Sequence, residues 1–199
     1  MTASLRPIRA QQWSAEQARH LLNRAGFGVP ESAVDSLARL SPQEAVATLL
    51  DYERYDDPAP SIDEFIVTPE EKEEVRRRIR QITDPEARQE LFREIRGRER
   101  RGIYQMKWWW LMRMMHTARP LQWKLALFWH GHFATEAQVV VSTNRNRQLL
   151  DVFLAQATGN LRELTRAVGK SPAMLEYLNN NRNVKGAPNE NWARELFEL

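Results

Sequence analysis

The stretch Ile103-Tyr104-Gln105-Met106-Lys107-Trp108-Trp109-Trp110-Leu111-Met112-Arg113-Met114-Met115-His116 decides the fold. Trp108, Leu111 and Met115 repeat at helical spacing, while Trp109 and Met112 fall on a different face. A helix that is apolar on most of its faces is buried or docks on something. Pro120 opens a second apolar helix, which leads to Phe133.

Beyond this pair the chain keeps reading as helix. Val139-Val140-Val141 is β-prone but too short to imply a sheet. Helices are predicted over about residues 145–157 and 161–168, with a short one capped by Ser171-Pro172. Residues 179–188 form a polar, Asn-rich loop. Asn189 then caps a final helix in which Glu190 and Arg194 are spaced for an i,i+4 pair. Trp192, Leu196 and Leu199 share its apolar face. No stop signal follows, so the ending reads as a cut and the chain as incomplete at its C-terminus.

Before Ile103 the sequence is more charged. Ser14 with Gln17 predicts a capped helix to about Ala25, closed by Gly26 and Gly28. Ser41-Pro42-Gln43-Glu44 and Thr68-Pro69-Glu70-Glu71 are two strong helix starts. Between them lies a loop rich in Asp and Pro. Residues 69–101 place acids before bases at helical spacing, as in a solvated hairpin or a long exposed helix. The expectation is an all-α, irregular multi-helix bundle with long loops. Residues 1–102 form an N-terminal helical region with charged, exposed helices. Residues 103–199 form an apolar helical core region of the same domain, with a soft boundary between the two.

Composition narrows the function. The 199 residues are 42% hydrophobic and include seven Trp, which excludes a disordered chain. There is no Cys, and hence no disulfide, thiolate metal site or Cys nucleophile. The formal net charge is only +3 and the Arg residues are interleaved with acids, which argues against nucleic acid despite the Trp triplet. No stretch is long and apolar enough for a membrane span. The N-terminus shows no secretory signal, which assigns the cytoplasm by default. Phosphate-loop, Gly-x-Ser-x-Gly, His-Glu-x-x-His and EF-hand patterns are missing.

Three polar constellations stand out. His130-Gly131-His132 can chelate a metal on an extended segment, but on a helix its two rings diverge by about 200°. The alternative is a pair of buried histidines satisfied by carbonyls or a carboxylate. Glu190, Asn191, Arg194 and Glu195 present carboxylate, amide and guanidinium groups together. They suit a polar ligand or the orientation of a catalytic His, or else they serve helix electrostatics alone. His20 and Arg24 share a helix face opposite Leu21, Leu22 and Ala25, a candidate binding stripe or a solvated one. His116, near a helix end, reads as structural.

These residues resemble the three ordered marker segments of a bacterial family known as domain of unknown function 1800 (DUF1800). The segments are His20-Leu21-Leu22-Asn23-Arg24-Ala25-Gly26-Phe27-Gly28, Leu127-Phe128-Trp129-His130-Gly131-His132-Phe133 and Asn189-Glu190-Asn191-Trp192-Ala193-Arg194-Glu195-Leu196. The resemblance spans essentially the whole chain. It implies kinship with large helical proteins, some of them exported, whose chains continue beyond the last marker. No activity is established for the family, and neither a cofactor nor a metal is specified.

Two functions follow as expectations. In the first, a polar site of an enzyme or ligand-binding domain gathers the catalytic candidates His130, His132, Glu190 and Glu195 with the ligand-binding candidates His20, Arg24, Asn191 and Arg194. There Glu190 or Glu195 orients a His or accepts a proton, and Arg194 holds an anionic group. In the second, a non-catalytic helical scaffold docks a protein partner, or the missing C-terminal half, through a Trp/Met-rich surface.

Overall fold

A computed structural model of the chain describes residues 7–28 and 30–198. Its described residues form ten α-helices linked by loops and short 3-10 turns, with no strand. They are α1 (Ala15–Ala25), α2 (Glu31–Ala38), α3 (Pro42–Leu50), α4 (Pro69–Gln81), α5 (Pro85–His116), α6 (Pro120–His132), α7 (Thr143–Ala155), α8 (Leu161–Lys170), α9 (Pro172–Tyr177) and α10 (Asn191–Glu198). Leu199, expected on the apolar face of α10, and residues 1–6 of the N-terminus lie outside the described residues.

The helix starts follow the local chemistry. At Ser41 and Thr68 the capping boxes close in both directions. Each hydroxyl accepts the backbone N–H three residues on, and the Glu there accepts the cap's own N–H at 2.9 Å. Ser14 accepts the Glu16 amide at 3.3 Å and donates to the Gln17 side chain. The charged region forms a hairpin rather than one long helix, because Asp84-Pro85 ends one run and begins the next. Gly28 follows α1 with φ of 106°, a conformation that favours glycine.

The chain divides into two compact units. The first comprises Met1–Pro58 and Arg113–Lys124, the second Ala59–Met112 and Leu125–Leu199. In the first unit α1 packs on α2, and Ala18, Leu22, Val34, Leu37, Ala45 and Leu49 form its apolar core. Asp57 holds the turn between α5 and α6. Its carboxylate accepts hydrogen bonds from Thr117 Oγ1 (2.9 Å), the Ala118 amide (2.8 Å) and Trp123 Nε1 (2.9 Å), and it pairs with Arg113 at 2.5 Å. Both charged side chains are nearly buried, 9% and 7% exposed. Arg113 also donates to the Pro58 carbonyl at 2.7 Å and lies over the Trp123 ring.

In the second unit Phe153, Leu149, Leu150, Leu164, Val168 and Met174 form an apolar core contributed by α7, α8 and α9. A buried carboxylate ties three elements together. Glu99 of α5 pairs with Lys72 of α4 at 2.5 Å and accepts the Thr143 amide of α7 at 2.8 Å. Lys72 continues to Ser142 Oγ at 2.7 Å. One turn on, a Cβ at Gly102 would lie 2.4 Å from Thr143 Oγ1 and 2.5 Å from the Phe65 carbonyl, so only glycine admits this approach.

Burial alone would raise the Asp57 pKa. The hydrogen bonds from Arg113, Trp123, the Ala118 amide and Thr117 outweigh it and hold the carboxyl below the ordinary aspartate range. A depressed folded-state pKa contributes stability that is present above the unfolded value of about 3.9 and is lost as pH falls through the folded one. Asp57→Ala also strands Arg113 as a buried, unpaired cation. It is expected to cost about 3–5 kcal/mol in urea unfolding at pH 7. The gap to the native protein should shrink in acid, as the native carboxyl protonates.

Candidate functional site

His20 and Arg24 are exposed on α1 in the first unit, while Ala18, Leu22 and Ala25 face its core. The other six candidates belong to the second unit. There α6 carries His130 and His132, and α10 carries Asn191, Arg194 and Glu195, with Glu190 just before it.

The His-Gly-His segment is helical, so its two imidazoles part. The His130 ring stands edge-on to Trp110 (centroids 5.0 Å apart) and to Phe153 (6.2 Å). Burial among these rings lowers its pKa. The His132 ring stacks parallel to Phe128 at 6.3 Å and meets the Phe133 ring edge-on at 4.8 Å. The pair therefore does not converge as a chelate. Among the described residues no group of three His, Asp or Glu side chains is arranged to hold a metal ion.

The Asn-rich loop brings the terminal helix back to α9. Asn179 adopts a left-handed φ of 59°. The side-chain amides of Asn189 and Asn191 both donate to the Leu178 carbonyl at 3.2 Å. Asn189 Oδ1 accepts the Asn191 amide at 2.8 Å, and the Asn189 amide donates to Asn183 Oδ1 at 2.8 Å. Asn191, a ligand-binding candidate in the sequence, thus commits its side-chain amide to holding the loop.

On α10 the polar groups separate by face. Glu190 and Arg194 are exposed. Arg194 pairs with Glu195 at 3.0 Å and with Glu198 at 3.6 Å, rather than with Glu190 as its spacing suggests. Trp192 lies against Gly169 of α8, where a Cβ would come within 2.7 Å of the indole. Trp192 and Glu195 are both half-buried, the Glu195 side chain 39% exposed. With His132, Phe133, Met174 and Tyr177 they line a cavity of about 150 Å³.

The structure therefore brings together His132 and Glu195 out of the eight candidates. It adds three groups that the sequence reading did not single out as site residues: Tyr177, the Trp192 face and the seat at Gly169. Gly169 lies within an ordinary helix, and its role depends on a neighbour 23 positions away. The cavity has ionisable groups in His132 and Glu195, and its other lining residues are aromatic or aliphatic. A carboxylate beside aromatic side chains favours a cationic group, and an imidazole at a cavity wall can accept or release a proton.

The lowered pKa of His130 means that the folded chain resists a proton the unfolded chain takes up at about pH 6.5. Stability therefore falls as pH drops below that value. Thermal unfolding between pH 8 and 5 is expected to show this loss, and His130→Phe, which keeps an aromatic ring against Trp110, should remove most of it. No curated protein and no solved structure matches this chain. Its residues 20–199 match the family described as Protein of unknown function (DUF1800). The match covers all three marker segments and most of the chain, and the protein belongs to the DUF1800 family.

Proposed function

We propose that the second unit binds a small ligand in the cavity between α6, α9 and α10, and that the bound group is cationic. One observation carries this reading: His132 and Glu195, from two separate marker segments, line the same cavity beside Trp192 and Tyr177. Glu195 supplies a carboxylate, which a bound cation would share with Arg194, Trp192 and Tyr177 supply aromatic side chains, and His132 would exchange a proton with the bound group. The cavity is smaller than the roughly 300–1,000 Å³ typical of drug-sized ligands, so it suits one functional group of a molecule rather than the whole of it. Glu190 and Arg194, exposed outside it, offer contacts to the remainder.

The reading predicts a charge preference. Titration of the protein with alkylammonium and guanidinium salts, followed by the indole N–H signal of Trp192, should saturate, whereas carboxylates of the same size should not. Glu195→Gln should weaken the cation at least about tenfold, roughly 1.4 kcal/mol, with the fold retained. Gly169→Ala should lift Trp192 from its seat and weaken binding as well. Tighter binding of the carboxylates, or cation affinity indifferent to both variants, would sink the proposal.

A further inference from the structure

Helix α5 carries a second surface that the cavity does not use. Arg96, Arg100, Tyr104, Lys107, Trp108 and Leu111 recur every three or four residues and share one side of the helix. All six are exposed; Tyr104 is 68%, Trp108 63% and Leu111 43% exposed. The three cations have no ion-pair partner among the described residues. Their neighbours Arg98 and Glu99, turned toward α4, are paired with Glu71 and Lys72. The stripe is therefore unevenly charged: cations predominate toward its N-terminal end and large apolar side chains toward its C-terminal end. Nor is it flat. Arg100, Tyr104 and Lys107 line a cavity of about 400 Å³ with Gln138 and Val141.

We infer that this stripe docks a helical segment of a partner protein whose contact face is acidic at one end and apolar at the other. Three physical points fix that occupant. Cations without an ion-pair partner beside a recess select carboxylates, which would enter between Arg100 and Lys107, the latter over the Tyr104 ring. Exposed Trp and Tyr next to those cations supply the aromatic anchors typical of protein contacts. The stripe runs 16 residues, or 15 helical steps, from Arg96 to Leu111. At 1.5 Å per residue that is about 22 Å, the length of four turns of a partner helix laid along it. The chain's small net charge of +3 gives no extended field for a polyanion such as nucleic acid.

The test uses the full chain and a fluorescein-labelled synthetic helix of about 20 residues, long enough to span the stripe. One face of this probe carries Glu in its N-terminal half and Leu in its C-terminal half. A control peptide has Lys in place of Glu. Fluorescence anisotropy should show saturable binding of the Glu peptide and none of the Lys peptide. Trp108→Ala should weaken the Glu peptide at least tenfold. Arg100→Glu combined with Lys107→Glu should invert the preference, with circular dichroism confirming that helix content is kept; if the double variant unfolds, Arg100→Glu alone is read against the same two peptides. Equal binding of both peptides, or saturable binding of neither, overturns the inference. So does tighter binding of a single-stranded oligonucleotide or of phosphatidylserine vesicles through the same side chains. The cavity variant Glu195→Gln should leave peptide binding unchanged, which separates this outcome from that of the cation-binding proposal.

Discussion

One nearly buried carboxylate fixes where the longest helix stops. Asp57 meets Arg113 on the last turn of α5, the Thr117 hydroxyl and Ala118 amide in the turn, and the Trp123 indole at the start of α6. All four partners donate and Asp57 alone accepts, so the ionised form is required. A buried ion pair gains little over an apolar substitute, but it is intolerant of losing either member. Its contribution here is specificity of position. The turn after His116 is pinned by charge-assisted bonds, and α6 begins at a defined residue.

Glu99 plays the same part in the second unit, by a different route. Its carboxylate satisfies the Thr143 amide, one of the unpaired donors at the N-terminus of α7, while its negative charge is matched by Lys72. Gly102, a turn later, allows α5 to approach Thr143 and the Phe65 carbonyl more closely than any side chain would permit. A long helix that is charged along its first half and apolar along its second is thus held to its neighbours by one inward acid and one missing side chain. The remaining charges on that half face solvent, some paired with α4 and others along the exposed stripe.

The helices were legible because the signals that start and stop them are local. Ser41, Thr68, Ser171 and Asp84-Pro85 act within four residues of themselves, and each does in the structure what its spacing predicts. The candidate site was legible only in part, because facing is a tertiary property. Glu190 and Glu195 are both acids on or beside one helix, yet one is exposed and the other lines the cavity. Asn191 looks like a ligand-binding amide in the sequence and in the structure clamps the Leu178 carbonyl, a partner 13 residues back. Trp192 was readable as an apolar position on the terminal helix. Its seat at Gly169 was not, since nothing around a mid-helix glycine announces an indole packed against it.

The two histidines of the central marker show how helical geometry turns a repeated residue into two different groups. Positions two residues apart on a helix differ by about 200°, so His130 and His132 face different surroundings once α6 is packed. His130 falls among Trp110 and Phe153, where burial disfavours its charged form, and it acts as an aromatic packing element. His132 falls at the cavity that Glu195 also lines. Gly131 between them has open space beyond its Cα, so no close contact explains the absence of a side chain there. The physical content of the marker is therefore directional: one ring packs α6 against Trp110 of α5 and Phe153 of α7, and the other, stacked on Phe128 and edge-on to Phe133, lines the cavity.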